Sequence, residues 1–237
     1  MTRTVLVTGG TSGLGRAIAQ RFTAEDAKVV ITGRRSETVE GVAAELGVRG
    51  VVCDATNPEQ VSALAGGLDR LDVLVNAAGG LPTVPPDGPP LQVLLAGWQS
   101  ALAQNLLGAV LTTASVRDKL VPGGAVISIG SIGAERRGGS YGAAKAALAA
   151  WNASFSAEIS AYGITSNVIS AGYIAGTNFF GGQMSVERHQ ALVEETHNKR
   201  PGTPDDIAQT VCFLASPGAR HITGQAIHVN GGAFTTR

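Results

Sequence analysis

Cysteine is scarce: two residues in 237, Cys53 and Cys212, allow at most one bridge and argue against a disulfide framework or a cysteine-built metal site. Both stand in apolar surroundings, VVCD and TVCFL, and read as reduced core thiols of a cytosolic chain. An excess of charge of either sign is also missing. Eighteen basic residues balance eighteen acidic ones, without long blocks, so neither nucleic acid nor a membrane surface is an expected partner. The start, MTRTVLVTGG, has too short an apolar run for a signal segment or a spanning helix. No metal is expected.

What the chain does have is alternation. Short β-branched runs recur, each followed by a longer stretch of helical periodicity: TVLVT from Thr4, KVVIT from Lys28, GVVC from Gly50, DVLVN from Asp72, AVISI from Ala125, ITSNVIS from Ile164 and QAIHV from Gln225. Runs apolar on both faces belong in a parallel sheet covered by helices on each side. The expected fold is α/β, one Rossmann-type doubly wound parallel sheet of about seven strands in a single domain spanning residues 1–237. Two stretches break the rhythm. Gly79 to Pro90, GGLPTVPPDGPP, is too rich in proline and glycine for regular structure and reads as a loop over the carboxyl edge of the sheet. Residues 177–199 place a Gly-Gly hinge before an amphipathic helix and read as a lid.

After the first strand comes TGGTSGLG, from Thr8 to Gly15, running into a helix. Glycines there let the backbone approach a pyrophosphate, whose charge is met by the free amides of the helix N-terminus. Gly9, Thr11, Ser12, Gly13, Leu14 and Gly15 are the candidate contacts. The second strand ends in Gly33, Arg34 and Arg35, where many dinucleotide folds place a carboxylate for the ribose hydroxyls. Guanidinium grips a 2′-phosphate that a carboxylate would repel, so NADP(H) is expected over NAD(H), with Arg34 the main determinant and Arg35 the helper. Asp54 after the third strand can accept from the adenine amino group with Ala55 packed nearby, or it can join Thr56 or Asn57 in capping the helix that opens at Pro58. The fourth strand ends in Asn76, Ala77, Ala78 and Gly79, small residues that leave room for a ribose, with Asn76 able to brace neighbouring strands.

Tyr141 and Lys145 are one helical turn apart in SYGAAKAAL, and Ser131 closes the apolar run upstream. A phenol, an ammonium and a hydroxyl so placed can protonate a carbonyl oxygen while hydride arrives from elsewhere. A free tyrosine titrates near about 10, and a nearby lysine charge acts to lower that value. The same residues also fit a helix cap, a solvated lysine and a strand end.

Taken in order, T-G-x-x-x-G-x-G, N-A-A-G, a strand-end serine and Y-x-x-x-K resemble the short-chain dehydrogenase/reductase family along nearly the whole chain. The segment from Arg200 to Gly232 is similar to the close of its 3-oxoacyl-carrier-protein-reductase-like branch. The resemblance implies Tyr141 as general acid in reduction, Lys145 as the group that binds the nicotinamide ribose and steadies the phenolate, and Ser131 as the residue that orients the substrate oxygen. Ser128 competes with Ser131, and the family's strand-end pattern favours Ser131. Asn105, in the long helix QSALAQNLLGAVLTT, matches the asparagine that helps hold a water linking the lysine to solvent. Read without the family, a buried amide there needs some partner. Gly172, Ile174 and Thr177 carry the carboxamide contacts, with Thr177 one place late.

The chain departs from the family at Ala171, where proline is usual, which implies a looser or differently supported turn. The loop before Tyr141 is short and holds Glu135, Arg136 and Arg137, either receptors for an anionic substrate or solvated charges. Phe179, Phe180 and Met184 suggest an apolar pocket wall, while Trp98, Trp151 and Tyr173 fit core or pocket. The expected activity is an NADPH-dependent ketone or 3-oxoacyl reductase acting on a small carbonyl or alcohol, as a homotetramer or homodimer. An NAD-dependent alcohol dehydrogenase and a non-catalytic NADP(H) sensor or scaffold are the rivals.

Overall fold

A computed structural model describes residues 2–85, 87–136 and 138–236. Seven parallel strands form one sheet in the order β3-β2-β1-β4-β5-β6-β7. They are β1 (Thr4–Thr8), β2 (Lys28–Gly33), β3 (Arg49–Val52), β4 (Leu71–Asn76), β5 (Leu120–Ser131), β6 (Thr165–Ala171) and β7 (Ala226–Val229). Strand order reverses between β1 and β4, so a crevice opens where their carboxyl ends diverge. The expected doubly wound sheet is present. Its third strand is Arg49–Val52, which leaves Cys53 just beyond it.

The strands hold because alternate side chains feed two separate cores. Val5 and Val7 pack with Ile18 and Phe22 of α1 (Gly13–Ala24) and with Ile207 and Val211 of α9 (Pro204–Leu214). Leu6 turns the other way, toward Val61 of α3 (Pro58–Gly66), Val116 of α5 (Gly108–Val116) and Phe155 of α7 (Gly139–Ser160). All seven residues of β6 are buried, as a central strand covered on both faces requires. The remaining helices are α2 (Ser36–Leu46), α4 (Pro90–Leu102), α6 (Gly133–Arg136) and α8 (Val186–Glu194). Cys53 and Cys212 are both buried and free.

Between α4 and α5 the chain makes a π-helical turn, Ala103–Leu107, without breaking the helix. The whole run from Pro90 to Lys119 is long and apolar enough to cross a membrane by length and composition. Here it covers the sheet instead, and Asn105, Thr112 and Thr113 are buried beneath it. Polar side chains also fix the helix starts. Asn57 accepts from the amides of Glu59 and Gln60 at 3.0 and 3.1 Å, a cap of the kind worth about 1 kcal/mol. Thr203 and Asp206 form a reciprocal capping box at α9.

Candidate active site

A cleft of about 700 Å³ lies over the carboxyl ends of β1, β4, β5 and β6. At one end stands the glycine turn. Gly9 has φ +65°, and a Cβ there would come within 2.8 Å of the Ala78 Cα, so the turn and the strand-end segment after β4 meet backbone to backbone. Thr8 ties them together, its Oγ1 accepting from the amides of Ala77 and Ala78 at 3.1 Å each. Gly13, at φ +50°, faces Thr177 across the cleft, where a Cβ would stand 3.9 Å away. Ser12 is the N-cap of α1 but makes no side-chain cap, and the first turn holds no acidic residue. First-turn amides have no partner within their own helix. The turn therefore fits a pyrophosphate.

Toward the adenosine end the structure separates residues that are neighbours in sequence. Arg34 lines the cleft, whereas Arg35 is the N-cap residue of α2 and lies outside the lining. Asp54 lines it beside Ala55, with Oδ1 engaged by the amide and hydroxyl of Thr56 at 2.9 and 2.8 Å, while Asn57 does the helix capping. Ala77, Ala78 and Gly79 form the adjoining wall. Asn76 is set below it, buried, and donates to Thr113 Oγ1 at 3.0 Å and Ser128 Oγ at 3.3 Å. It braces β4 against β5 and the helix above, and does not line the cleft.

Ser131, Tyr141 and Lys145 meet on the floor beyond. Ser128 is fully buried in the contact with Asn76, so of the two candidate serines only Ser131 reaches the opening. Ser131 Oγ accepts from the Gly133 amide at 3.0 Å and shares a side-chain hydrogen bond with Tyr141. Lys145 is 6% exposed, and its Nζ donates to the Ile129 carbonyl at 2.7 Å. Burial pulls the amine down to about 8. For Tyr141, burial raises the phenol above its ordinary value and the bond with Ser131 offsets part of that rise. The lowering expected from Lys145 is not found: the ammonium is 5.9 Å from the ring centroid and is itself spent on a carbonyl.

Asn105 is also out of the lining, held behind it by the π turn. Its Oδ1 accepts from the Gly80 amide at 3.1 Å, and its Nδ2 donates to the carbonyls of Gly80 at 2.9 Å and Ala101 at 3.1 Å. A Cβ on Gly79 would stand 2.8 Å from Asn105 Oδ1 and 3.4 Å from Lys145 Nζ. Glycine at 79, with φ +155°, thus keeps the space between amide and amine open.

Where proline was expected, Ala171 belongs to β6 and pairs with Ser131 on one side and Val229 on the other. The turn is differently supported rather than looser. Gly172 donates to Val229, and Ile174 forms a bridge to Gly202. Thr177 Oγ1 donates to the Ile174 carbonyl at 3.2 Å, and Gly172, Ile174 and Thr177 all line the cleft.

The mouth is aromatic. Phe179 meets Tyr141 edge-on at 5.7 Å and Phe180 at 5.0 Å, and the Tyr173 hydroxyl is 2.7 Å from His189 Nδ1. Met184, expected in this wall, does not line it. Trp98 is exposed on α4, and Trp151 stacks on Phe155 at 5.4 Å, so of the three open aromatic assignments only Tyr173 belongs to the cleft. Arg136 lines the mouth and is paired with Glu195 at 2.8 Å; Glu135 is exposed away from it, and Arg137 lies outside the described residues. The sequence reading missed Arg188, Leu192 and Glu195, which line the cleft from α8 and its end. Their i, i+4, i+7 spacing is the signal that could have found them.

A phenol backed by a buried amine, across from a pyrophosphate-type cradle on a doubly wound sheet, is the apparatus of a Rossmann-class oxidoreductase. Residues 9–234 match the family model described as enoyl-(acyl carrier protein) reductase. The chain belongs to the short-chain dehydrogenase/reductase family. A Mycobacterium tuberculosis chain that carries the general name oxidoreductase is 36% identical over 232 residues, 97% of each chain. The 3-oxoacyl-[acyl-carrier-protein] reductase of Aquifex aeolicus is 32% identical, covering 97% of this chain and 96% of its own. Among solved structures, a 7α-hydroxysteroid dehydrogenase complexed with NADH and 7-oxo glycochenodeoxycholic acid superposes with TM-score 0.85 at 29% identity, covering 97% of this chain and 93% of that one. A Burkholderia cenocepacia short-chain dehydrogenase in complex with NADP gives 0.84 at 29%, covering 98% and 97%.

Proposed function

We propose that this chain is an NADP(H)-dependent carbonyl reductase of the ketone or 3-oxoacyl type, working as one Rossmann domain with a lid over about residues 177–199. The observation that carries the reading is the meeting of Ser131, Tyr141 and Lys145 on the floor of a cleft whose other end is the glycine turn. The amides of Ser12 to Gly15 hold the pyrophosphate, Arg34 the 2′-phosphate, Asp54 and Ala55 the adenine, and Gly172, Ile174 and Thr177 the carboxamide. NADP(H) over NAD(H) is supported by Arg34, which lines the cleft with no ion pair to satisfy it among the described residues. Bound there, the nicotinamide supplies the hydride.

The chain's own residues handle the proton. Because burial keeps the Tyr141 phenol protonated at neutral pH, it can give its proton to the carbonyl oxygen as negative charge grows there. Ser131, fixed by the Gly133 amide and hydrogen-bonded to the Tyr141 phenol, stands where a substrate oxygen placed between the two hydroxyls is oriented by both. Lys145, whose Nζ already donates to the Ile129 carbonyl, would bind the nicotinamide ribose hydroxyls beside the phenol. Gly79 leaves open the gap between Asn105 Oδ1 and Lys145 Nζ through which that proton is replaced. Phe179 and Phe180 exclude water from the floor.

Buried free thiols support a cytosolic setting, and an exposed apolar face on α4 supports a homotetramer or homodimer. Tyr141→Phe tests the central claim: turnover of ketones with NADPH should fall roughly 10²–10⁴-fold while NADPH binding, read by fluorescence, is retained. Full activity in that variant would falsify the assignment.

A further inference from the structure

The mouth of the cleft carries charge that the proton-handling group does not use. Of its ionisable side chains, Arg136 and Glu195 are joined in a 2.8 Å pair. Arg188 has no acceptor for its guanidinium among the described residues; it is held by the Phe180 ring, 4.8 Å from its Cζ. Phe180 packs edge-on against Phe179, which packs edge-on against Tyr141. An unbroken aromatic path therefore joins the phenol to a cation.

The place of that cation is unfavourable for its own helix. Arg188 is the third residue of α8, where the helix N-terminus already carries partial positive charge. Glu187 offsets this on the Ser185 side, to which it is hydrogen-bonded, and does not line the cleft. With the helix N-terminus met by Ser185 and Glu187, the exposed Arg188 guanidinium is the cation left beside the opening.

We infer that Arg188 binds an anionic group, carboxylate or phosphate, at the far end of the substrate, with the segment between anion and carbonyl lying along Phe179 and Phe180. Guanidinium offers paired donors that match either oxyanion and keeps its charge across the working pH range. The inference rests on the carbonyl-reductase reading and deepens it: the substrate is an acidic ketone, not a neutral one.

The test uses three probes of matched chain: 5-oxohexanoate, its methyl ester and 5-oxohexyl phosphate, assayed by NADPH absorbance. Wild-type kcat/KM should favour an anionic probe over the ester, and which anion is preferred identifies the headgroup. Arg188→Gln should lower the anion-to-ester ratio roughly 10- to 100-fold, chiefly through KM, with Arg188→Lys between and Arg188→Glu lowest. The ratio removes any packing defect common to all probes. A wild-type ratio near one, or a ratio unmoved in Arg188→Gln and Arg188→Glu, overturns the inference and leaves the reductase reading standing. If no probe is turned over, calorimetry of 5-oxohexanoate with wild type and Arg188→Gln decides the anion site by itself, equal affinities overturning it, and the reductase reading stays with the Tyr141→Phe comparison.

Discussion

At the scale of single residues, Lys145 sits where its own charge is costly. Its amine titrates near about 8 in the fold against about 10.4 when free. Below pH 8 the lysine is charged in both states and the folded chain bears the full cost of burying it. Between those values the folded amine is neutral while the unfolded one still holds its proton, so the cost fades as pH rises. Lys145→Met should therefore lose activity yet melt higher than wild type near pH 7, by a few kcal/mol at most, with the gap closing by about pH 10.5. Equal melting differences at pH 7 and pH 10 would contradict this. Arg34→Ala should weaken NADPH binding by roughly 10- to 100-fold and barely touch NADH, measured by titration of both cofactors. Tighter binding of NADH by the wild type would rule out the assignment. Arg34 and Arg35 also show the limit of reading single residues from sequence: one backbone step into α2 carries Arg35 out of the cleft that Arg34 lines. The same holds for Asn76 and Asn105, whose polarity announced a buried partner but not that it would lie behind the cleft wall.

Among the elements, α9 depends on a polar start that can be tested by itself. Asp206 accepts from the Thr203 amide at 2.8 Å and from Arg200 at 2.7 and 2.9 Å, and these bonds hold its carboxyl well below the usual range. A depressed carboxylate stabilises the fold above its unfolded value, near about 3.9, and loses that contribution as pH falls through the folded one. Asp206→Asn should cost on the order of 1 kcal/mol at pH 7 by urea unfolding, and the difference from wild type should shrink below about pH 4. A difference independent of pH would assign the loss to packing instead. Strands were readable as elements because β-branched runs and glycine-marked ends act locally, which is why β1, β2 and β4 stand where their patterns put them. The contacts of α8 were not. Arg136 with Glu195, and Tyr173 with His189, join segments whose meeting is decided by how residues 177–199 fold back over the sheet, and no local pattern encodes it.

For the whole molecule, the open question of assembly turns on α4. Leu91, Leu94, Leu95 and Trp98 recur at helical spacing and stand exposed, up to 79% for Leu91, although each is a residue that gains about 1.5–3 kcal/mol from burial. A second copy covering this stripe is what the proposed tetramer or dimer requires. Leu94→Glu with Leu95→Glu should yield a smaller species than wild type by light scattering after size exclusion; a monomeric wild type would exclude the assembly. From sequence, the apolar face of this helix could be read but its exposure could not, since a stripe buried in the monomer has the same pattern. The two edges of the sheet tell the opposite story. β3 and β7 are each four residues long, too short to template a stranger's strand along much of their length. Colloidal behaviour should then be governed by whether α4 is covered: conditions that dissociate the assembly bare its leucines and start precipitation there, and detergent or the double glutamate change, rather than edge-blocking prolines, would prevent it.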